Sequence, residues 1–225
     1  MSSFSDPQAV ARYALGPARQ VPGFHALQQM AMLLLAERVP DDGEVLVLGA
    51  GGGLELKVFA EAQPGWRLLG VDPSAEMLKL ARATLGPLAA RVELIEGYVD
   101  TAPQRLFDGA ACLLTLHFLG AEERLHALTE LRRRLKPGAP LVVAHHSFPQ
   151  GEEHKMRWLQ RYAAFGVASG IPAADAGNAI AAIASRLPAL SPEQDLALLH
   201  EAGFDPVELF YAGFTFKGWV AYAGC

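Results

Sequence analysis

At residues 44–55 the chain runs Glu44-Val45-Leu46-Val47-Leu48 straight into Gly49-Ala50-Gly51-Gly52-Gly53 and then Leu54-Glu55. No other stretch limits the fold as strongly. An uninterrupted apolar run of strand length reads as a strand buried on both faces, the habit of parallel sheets. Glycines then let the backbone turn sharply and approach a ligand closely. A helix opening straight after the turn offers unpaired N–H groups and a positive dipole end to a carboxylate or phosphate. Strand, glycine turn and helix in that order ask for an α/β fold with its ligand at the carboxyl edge of the sheet.

The rest of the chain repeats the theme. Residues 24–38 place Phe24, Leu27, Met30, Ala31, Leu34 and Leu35 on one helical face, ending before Pro40. Further strands are expected at 66–71, 91–95, 107–116 and 140–146. Helices fall between them at 54–62, at 74–84 with Ser74 as the cap, and at 121–135 before Lys136-Pro137-Gly138. After His146 the rhythm changes. Residues 152–186 are helical in pattern, Ala-rich and interrupted at Gly170-Ile171-Pro172; 192–202 form one more helix, and 204–211 and 214–222 a closing strand pair. The expected architecture is a single α/β domain over residues 1–225. It has a Rossmann-like, seven-stranded, mostly parallel sheet with helices on both faces. A helical lid occupies residues 1–40, and a small helical cap at 150–190 is inserted between strands five and six.

Composition excludes several function classes. The formal net charge is −5, so no broad phosphate-binding footprint is expected and DNA is not an expected partner. Apolar runs are broken by charge well short of a membrane span. The first residues lack both a positive cluster and an apolar stretch, so no secretory leader is expected. Cys112 and Cys225 lack metal-ligand or disulfide-framework spacing, which points to a reducing compartment, the cytoplasm. No histidine pair has helical ligand spacing with a carboxylate, so no metal is expected.

The glycine spacing narrows the ligand. A dinucleotide fingerprint, Gly-x-Gly-x-x-Gly, would need its third glycine at position 54, which is Leu54, and no Lys-Ser or Lys-Thr follows to make a phosphate loop. The pattern present is Gly49-x-Gly51-x-Gly53. One strand later comes Asp72, a carboxylate able to accept both hydroxyls of a ribose. Pro73 and Met77 follow and could pack on an adenine face. Glu96-Gly97-Tyr98-Val99-Asp100 closes the third strand, where Tyr98 could stack on a base and the Val99 amide could meet a ring nitrogen.

These stretches (VLVLGAGGG, LLGVDPSAEMLKLAR, FDGAACLLTLHFL and LRRRLKPGAPLVVA) resemble the class I S-adenosylmethionine-dependent methyltransferase superfamily over about residues 44–146. The segments Arg19-Gln20-Val21-Pro22-Gly23-Phe24, Leu116-His117-Phe118-Leu119 and Leu199-His200-Glu201-Ala202-Gly203-Phe204 look like the carboxy-S-adenosylmethionine synthases. That family makes a carboxylated cofactor used in tRNA wobble-uridine modification. The resemblance implies S-adenosyl-L-methionine as cofactor, held by Gly49, Ala50, Gly51, Gly53, Asp72, Pro73, Met77, Tyr98, Val99 and Leu116. It also implies an amino-terminal segment folded over the cofactor, with Tyr13 closing on the methionine end and Arg19 on its carboxylate, and a homodimer.

Three departures matter. Tyr98 stands where the superfamily usually has an Asp, and Val47 stands where many members have an acid. Leu198 occupies the position at which the synthases carry the arginine that pairs with the added carboxylate of their product. A leucine cannot pair with a buried charge. Plain methyl transfer to a small-molecule acceptor is therefore the expected activity. The alternatives are the synthase reaction with prephenate, should Arg157 or Arg161 supply the missing charge, and a non-catalytic cofactor-binding protein. His117, at the end of strand four, and His146, at the end of strand five, are the candidate catalytic groups, since histidine suits proton removal near neutral pH.

Overall fold

The computed structural model describes residues 16–224. Two helices open it, α1 (Gly16–Gln20) and α2 (Phe24–Ala36). Then come β1 (Glu44–Leu48), α3 (Leu54–Ala62), β2 (Arg67–Asp72), α4 (Ala75–Leu85), β3 (Val92–Glu96), β4 (Gly109–Leu113), α5 (Ala121–Arg133) and β5 (Pro140–His146). Two consecutive helices, α6 (Glu152–Ala168) and α7 (Ala173–Arg186), separate β5 from α8 (Pro192–Glu201), and the hairpin β6 (Phe204–Gly213) and β7 (Phe216–Ala223) completes the chain.

The seven strands form one sheet in the order β3-β2-β1-β4-β5-β7-β6. The first five are parallel, and β7 runs antiparallel to both its neighbours. Chain order reverses between β1 and β4, so a crevice opens at their carboxyl ends, the usual ligand position in open α/β sheets. Side chains alternate across β1. Val45 and Val47 face a core shared with α2 and α3, through Leu27, Leu35, Leu56 and Phe59. Leu46 and Leu48 face a second core with α5 and α8, through Leu128, Leu131 and Leu199. Burial on both faces explains why the parallel strands carry no polar alternation.

Local chemistry sets the element ends. Ser74 caps α4, its hydroxyl accepting the Met77 amide at 3.2 Å. A capping box of Ser191 and Gln194 opens α8. The fourth strand is shorter than the expected 107–116. Leu114 takes a positive φ of 58°, and Leu116–Phe118 curls into a 3-10 turn. The apolar run thus spans more residues than the extended backbone, because the chain bends over the carboxyl edge while its side chains stay buried. The break at Gly170-Ile171-Pro172 separates α6 from α7, and Lys155 Nζ donates to the Ala184 carbonyl at 2.9 Å to tie the two together. No described helix is long and apolar enough to cross a membrane.

Candidate active site

The glycine turn is built against its neighbours. Gly49 has φ 75°, and a Cβ there would run into the Thr115 side chain. Gly53 has φ 77°, and a Cβ there would lie 2.9 Å from Ala81 Cα, so α4 packs directly on the turn. Most of the loop's amides are used internally. Gly49 and Ala50 donate to the Val71 carbonyl at 2.8 and 3.0 Å, and Gly53 donates to the Ala50 carbonyl at 2.9 Å. Gly51 donates to Asp72 Oδ2 at 2.9 Å. The Gly52 and Leu54 amides are left without a protein acceptor among the described residues.

Asp72 ends β2 with both oxygens engaged: Oδ2 holds Gly51 and Oδ1 accepts the Ser74 amide at 2.9 Å. Burial pushes its carboxyl above the ordinary value, and these two amides oppose the rise. A carboxylate oxygen has two lone pairs, so each keeps one for a ligand hydroxyl. The crevice rim beside it is open, with Pro73 and Tyr98 exposed, Tyr98 at 66%. Met77, Val99 and Leu116 are buried. Val99 and Leu116 join Leu48 and Val71 in the core beneath the crevice. Arg19 is exposed on α1. Tyr13 lies outside the described residues.

The other half of the edge is aromatic. His117 is buried and sits 4.3 Å from the Phe118 ring and 5.0 Å from the His146 ring, centre to centre. The backbone amide of His146 donates to His117 Nδ1 at 3.3 Å. Burial, followed by the neighbouring His146, His145 and Arg124, holds the His117 pKa well below the usual value. A neutral imidazole that accepts at Nδ1 carries its proton on Nε2. His117 is thus arranged to donate a hydrogen bond rather than to take a proton. His146 stacks on Phe216 at 3.9 Å and meets Tyr162 of α6 edge-on at 5.4 Å. Its Nδ1 lies 2.9 Å from Thr215 Oγ1. Burial, then His145, pushes its pKa down to about 3.

Two polar residues that sequence reasoning passed over lie at this edge. Glu55, in the first turn of α3, lines a small cavity with Phe24, Leu27, Gln28, Leu54, Leu113 and Leu114. Its signal was present in the pattern: positions 55, 56, 59 and 60 form the buried face of α3, and one of them is acidic. Arg124, on the buried stripe of α5 with Ala127, Leu128 and Leu131, pairs with Asp195 of α8. The cap arginines do not turn inward: Arg157 binds Glu153 at 2.6 Å on the surface, and Arg161 stacks over Trp158 at 4.6 Å. Leu198 packs against the core between α5 and α8.

Similar proteins carry this framework. A family model described as a methyltransferase domain matches residues 45–138. The carboxy-S-adenosyl-L-methionine synthase of Chromohalobacter salexigens is 27% identical over 227 residues, covering 99% of this chain and 84% of that protein. An O-methyltransferase family protein from Burkholderia thailandensis has the same fold, with TM-score 0.72, 15% identity and coverage of 99% of this chain. Human N-acetylserotonin methyltransferase, solved in complex with SAM, superposes with TM-score 0.63 at 15% identity over 99% of this chain. This chain spans 62% and 58% of those two structures.

Proposed function

We propose that this chain is a class I S-adenosylmethionine-dependent methyltransferase, as its matched methyltransferase domain and its relatives support, and that it transfers the methyl group of S-adenosyl-L-methionine to a small-molecule acceptor. The observation that carries the cofactor reading is Asp72. One carboxylate both fixes the glycine turn through Gly51 and stands, with lone pairs to spare, at the sheet's switch point. In this reading it takes the ribose hydroxyls, the base lies between Pro73 and Tyr98 over Met77, Val99 and Leu116, and the Gly52 and Leu54 amides face the amino-acid tail.

The sulfonium supplies an already activated methyl group, so the protein has only to align an acceptor in line with it and keep water away. The neutral walls of His117, His146, Tyr162 and Phe216 suit that task. Aromatic faces also tolerate a passing cation. His117 orients the acceptor by donating from Nε2, and an acceptor that must lose a proton releases it to solvent. Helix α1 belongs to the lid, with Arg19 toward the cofactor carboxylate. Helices α6 and α7 form the cap over the acceptor. We place the reaction in the cytoplasm, with a homodimer as the working assembly.

The similarity to a carboxy-S-adenosyl-L-methionine synthase, over 99% of this chain and 84% of that protein, favours a second reading, the synthase reaction. It is the weaker one, because none of Leu198, Arg157 and Arg161 offers the added carboxylate a partner: the first is apolar and the two arginines are engaged at the surface. Mass spectrometry of ligand retained through purification separates the two, since the carboxylated cofactor is heavier by one carbon dioxide. Calorimetry with S-adenosylhomocysteine tests the common premise. Asp72→Ala should weaken binding by roughly 100-fold, the scale of two lost charge-assisted hydrogen bonds; unchanged affinity removes the ribose assignment.

A further inference from the structure

Glu55 is an acid where the fold gives it no reason to be one. It is 8% exposed, at the second position of α3, directly after the glycine turn. Among the described residues it forms no ion pair and no hydrogen bond to another residue; its carboxyl leans on its own amide. Burying a carboxyl in this way costs free energy, and an apolar residue would fill the space at no such cost. The cavity it lines is otherwise apolar except for Gln28, itself 3% exposed on α2. Among the described residues no basic side chain lines that cavity. Val47, on the strand beneath, faces the same core and brings no charge of its own.

We propose that Glu55, with Gln28 across the cavity, receives the primary ammonium group of the ligand's amino-acid tail. The inference rests on the cofactor reading above and assigns one group of it. A cation needs a carboxylate and a neutral acceptor, and the cavity supplies one of each. The position fits as well, since the Leu54 amide beside it is available for the tail's own carboxylate.

Empty, the site holds its acid neutral: burial raises the Glu55 pKa to about 8, and Asp72 adds to the rise. The charged group that acts on it is Asp72 at the end of β2; Glu55 in turn helps to raise the buried thiol of Cys112 on β4, and α2 contributes only uncharged Gln28 to the cavity. An arriving ammonium keeps its proton, and Glu55 loses its own to solvent.

The test compares S-adenosylhomocysteine with its deaminated analogue by calorimetry. The wild-type protein should prefer the amine by roughly 10- to 100-fold, the range of one buried charge-assisted contact. Glu55→Gln should abolish that preference and leave affinity for the deaminated analogue unchanged. At pH 7 the wild type should also release about one proton on binding the amine, seen as a dependence of the heat on buffer ionisation. Glu55→Gln should release none. Equal wild-type affinity for the two ligands, or a preference that survives in Glu55→Gln, overturns the assignment while leaving the cofactor reading intact. Failure of both ligands to bind the wild type overturns the cofactor reading and this inference with it. The wild-type comparison and proton count decide the matter even if the variant does not fold.

Discussion

Consecutive histidines at the end of β5 point to opposite faces of the sheet. His145 shares a core with α5 and α8, where its Nε2 lies 3.2 Å from Asp195 Oδ1 and its ring 5.6 Å from Trp219. Arg124 binds the same aspartate and donates to the Leu119 and Pro188 carbonyls at 3.1 Å each. Burial pushes Asp195 up, but His145, Arg124 and Ser147 more than offset it, and its pKa ends below the ordinary value. His146, one residue on, sits among Phe216, Tyr162 and His117 and is held neutral. The difference teaches that residue type does not set chemistry here; sheet parity does. One face is closed by charges that bind each other and so fix α8 to α5. The other is kept neutral, its two histidines held below their ordinary pKa by burial.

The sharpest way to break this contrast is to remove one charge from the closed face. Asp195→Ala leaves Arg124 buried and unpaired and should cost about 3–5 kcal/mol in chemical denaturation. The double variant Arg124→Met, Asp195→Leu should regain most of that loss. A single variant within 1 kcal/mol of wild type, taking roughly that as measurement scatter, would mean that water reaches the pair.

Acid titration should separate the two faces by window. His117 and His146 have folded pKa values below the unfolded value of about 6.5, so the unfolded chain binds more protons as pH falls below that point. Stability on the neutral face is complete above pH about 6.5 and declines as the medium acidifies, by at most about 1.4 kcal/mol per pH unit for each histidine. The window for His146 extends down to about 3. Asp195 behaves differently. Its contribution is present above the unfolded carboxylate value of about 3.9 and is lost only as pH falls through its lower folded value. His146→Phe should therefore flatten the slope between pH 6.5 and 4 by up to one proton's worth. A slope identical to wild type would show that His146 is charged in the folded protein.

The smallest effect is at neutral pH. His146→Phe retains a ring against Phe216 and loses the bond to Thr215, which should cost about 1 kcal/mol in thermal or urea unfolding. Adding Thr215→Val, which removes the orphaned hydroxyl, should return part of it. A loss well beyond that range would mark His146 as a structural keystone rather than a wall of the site.

Much of this molecule was legible in the chain. Glu44–Leu48, Leu54–Ala62 and Pro140–His146 coincide with the spans expected from hydrophobic runs and breakers, because burial on both faces writes itself as unbroken apolar sequence. The glycine turn and the acid that ends β2 are legible for the same kind of reason: a sharp turn demands glycine, and Asp72 stands at a strand end. The apolar run at 107–116 outlasts the fourth strand, since apolar side chains continue through a bend and the pattern records burial rather than extension.

What neighbours do to each other was not legible. Asp72 reads from the sequence as a ligand group, yet in the fold it also holds the Gly51 and Ser74 amides. His117 reads from the sequence as a candidate base, yet an amide from β5, an element distant in sequence, occupies its acceptor nitrogen. Glu55 and Arg124 each stood on an apolar helical face and so announced a buried charge, but whether a buried charge meets a partner depends on residues such as Asp195, 71 positions away from Arg124. Periodicity carries the repeat of a single element, and so the chain alone settles which elements form and which face turns inward. Protonation state, tautomer and the identity of a buried partner arise only when separate elements close on one another, because each depends on distances that no single element contains.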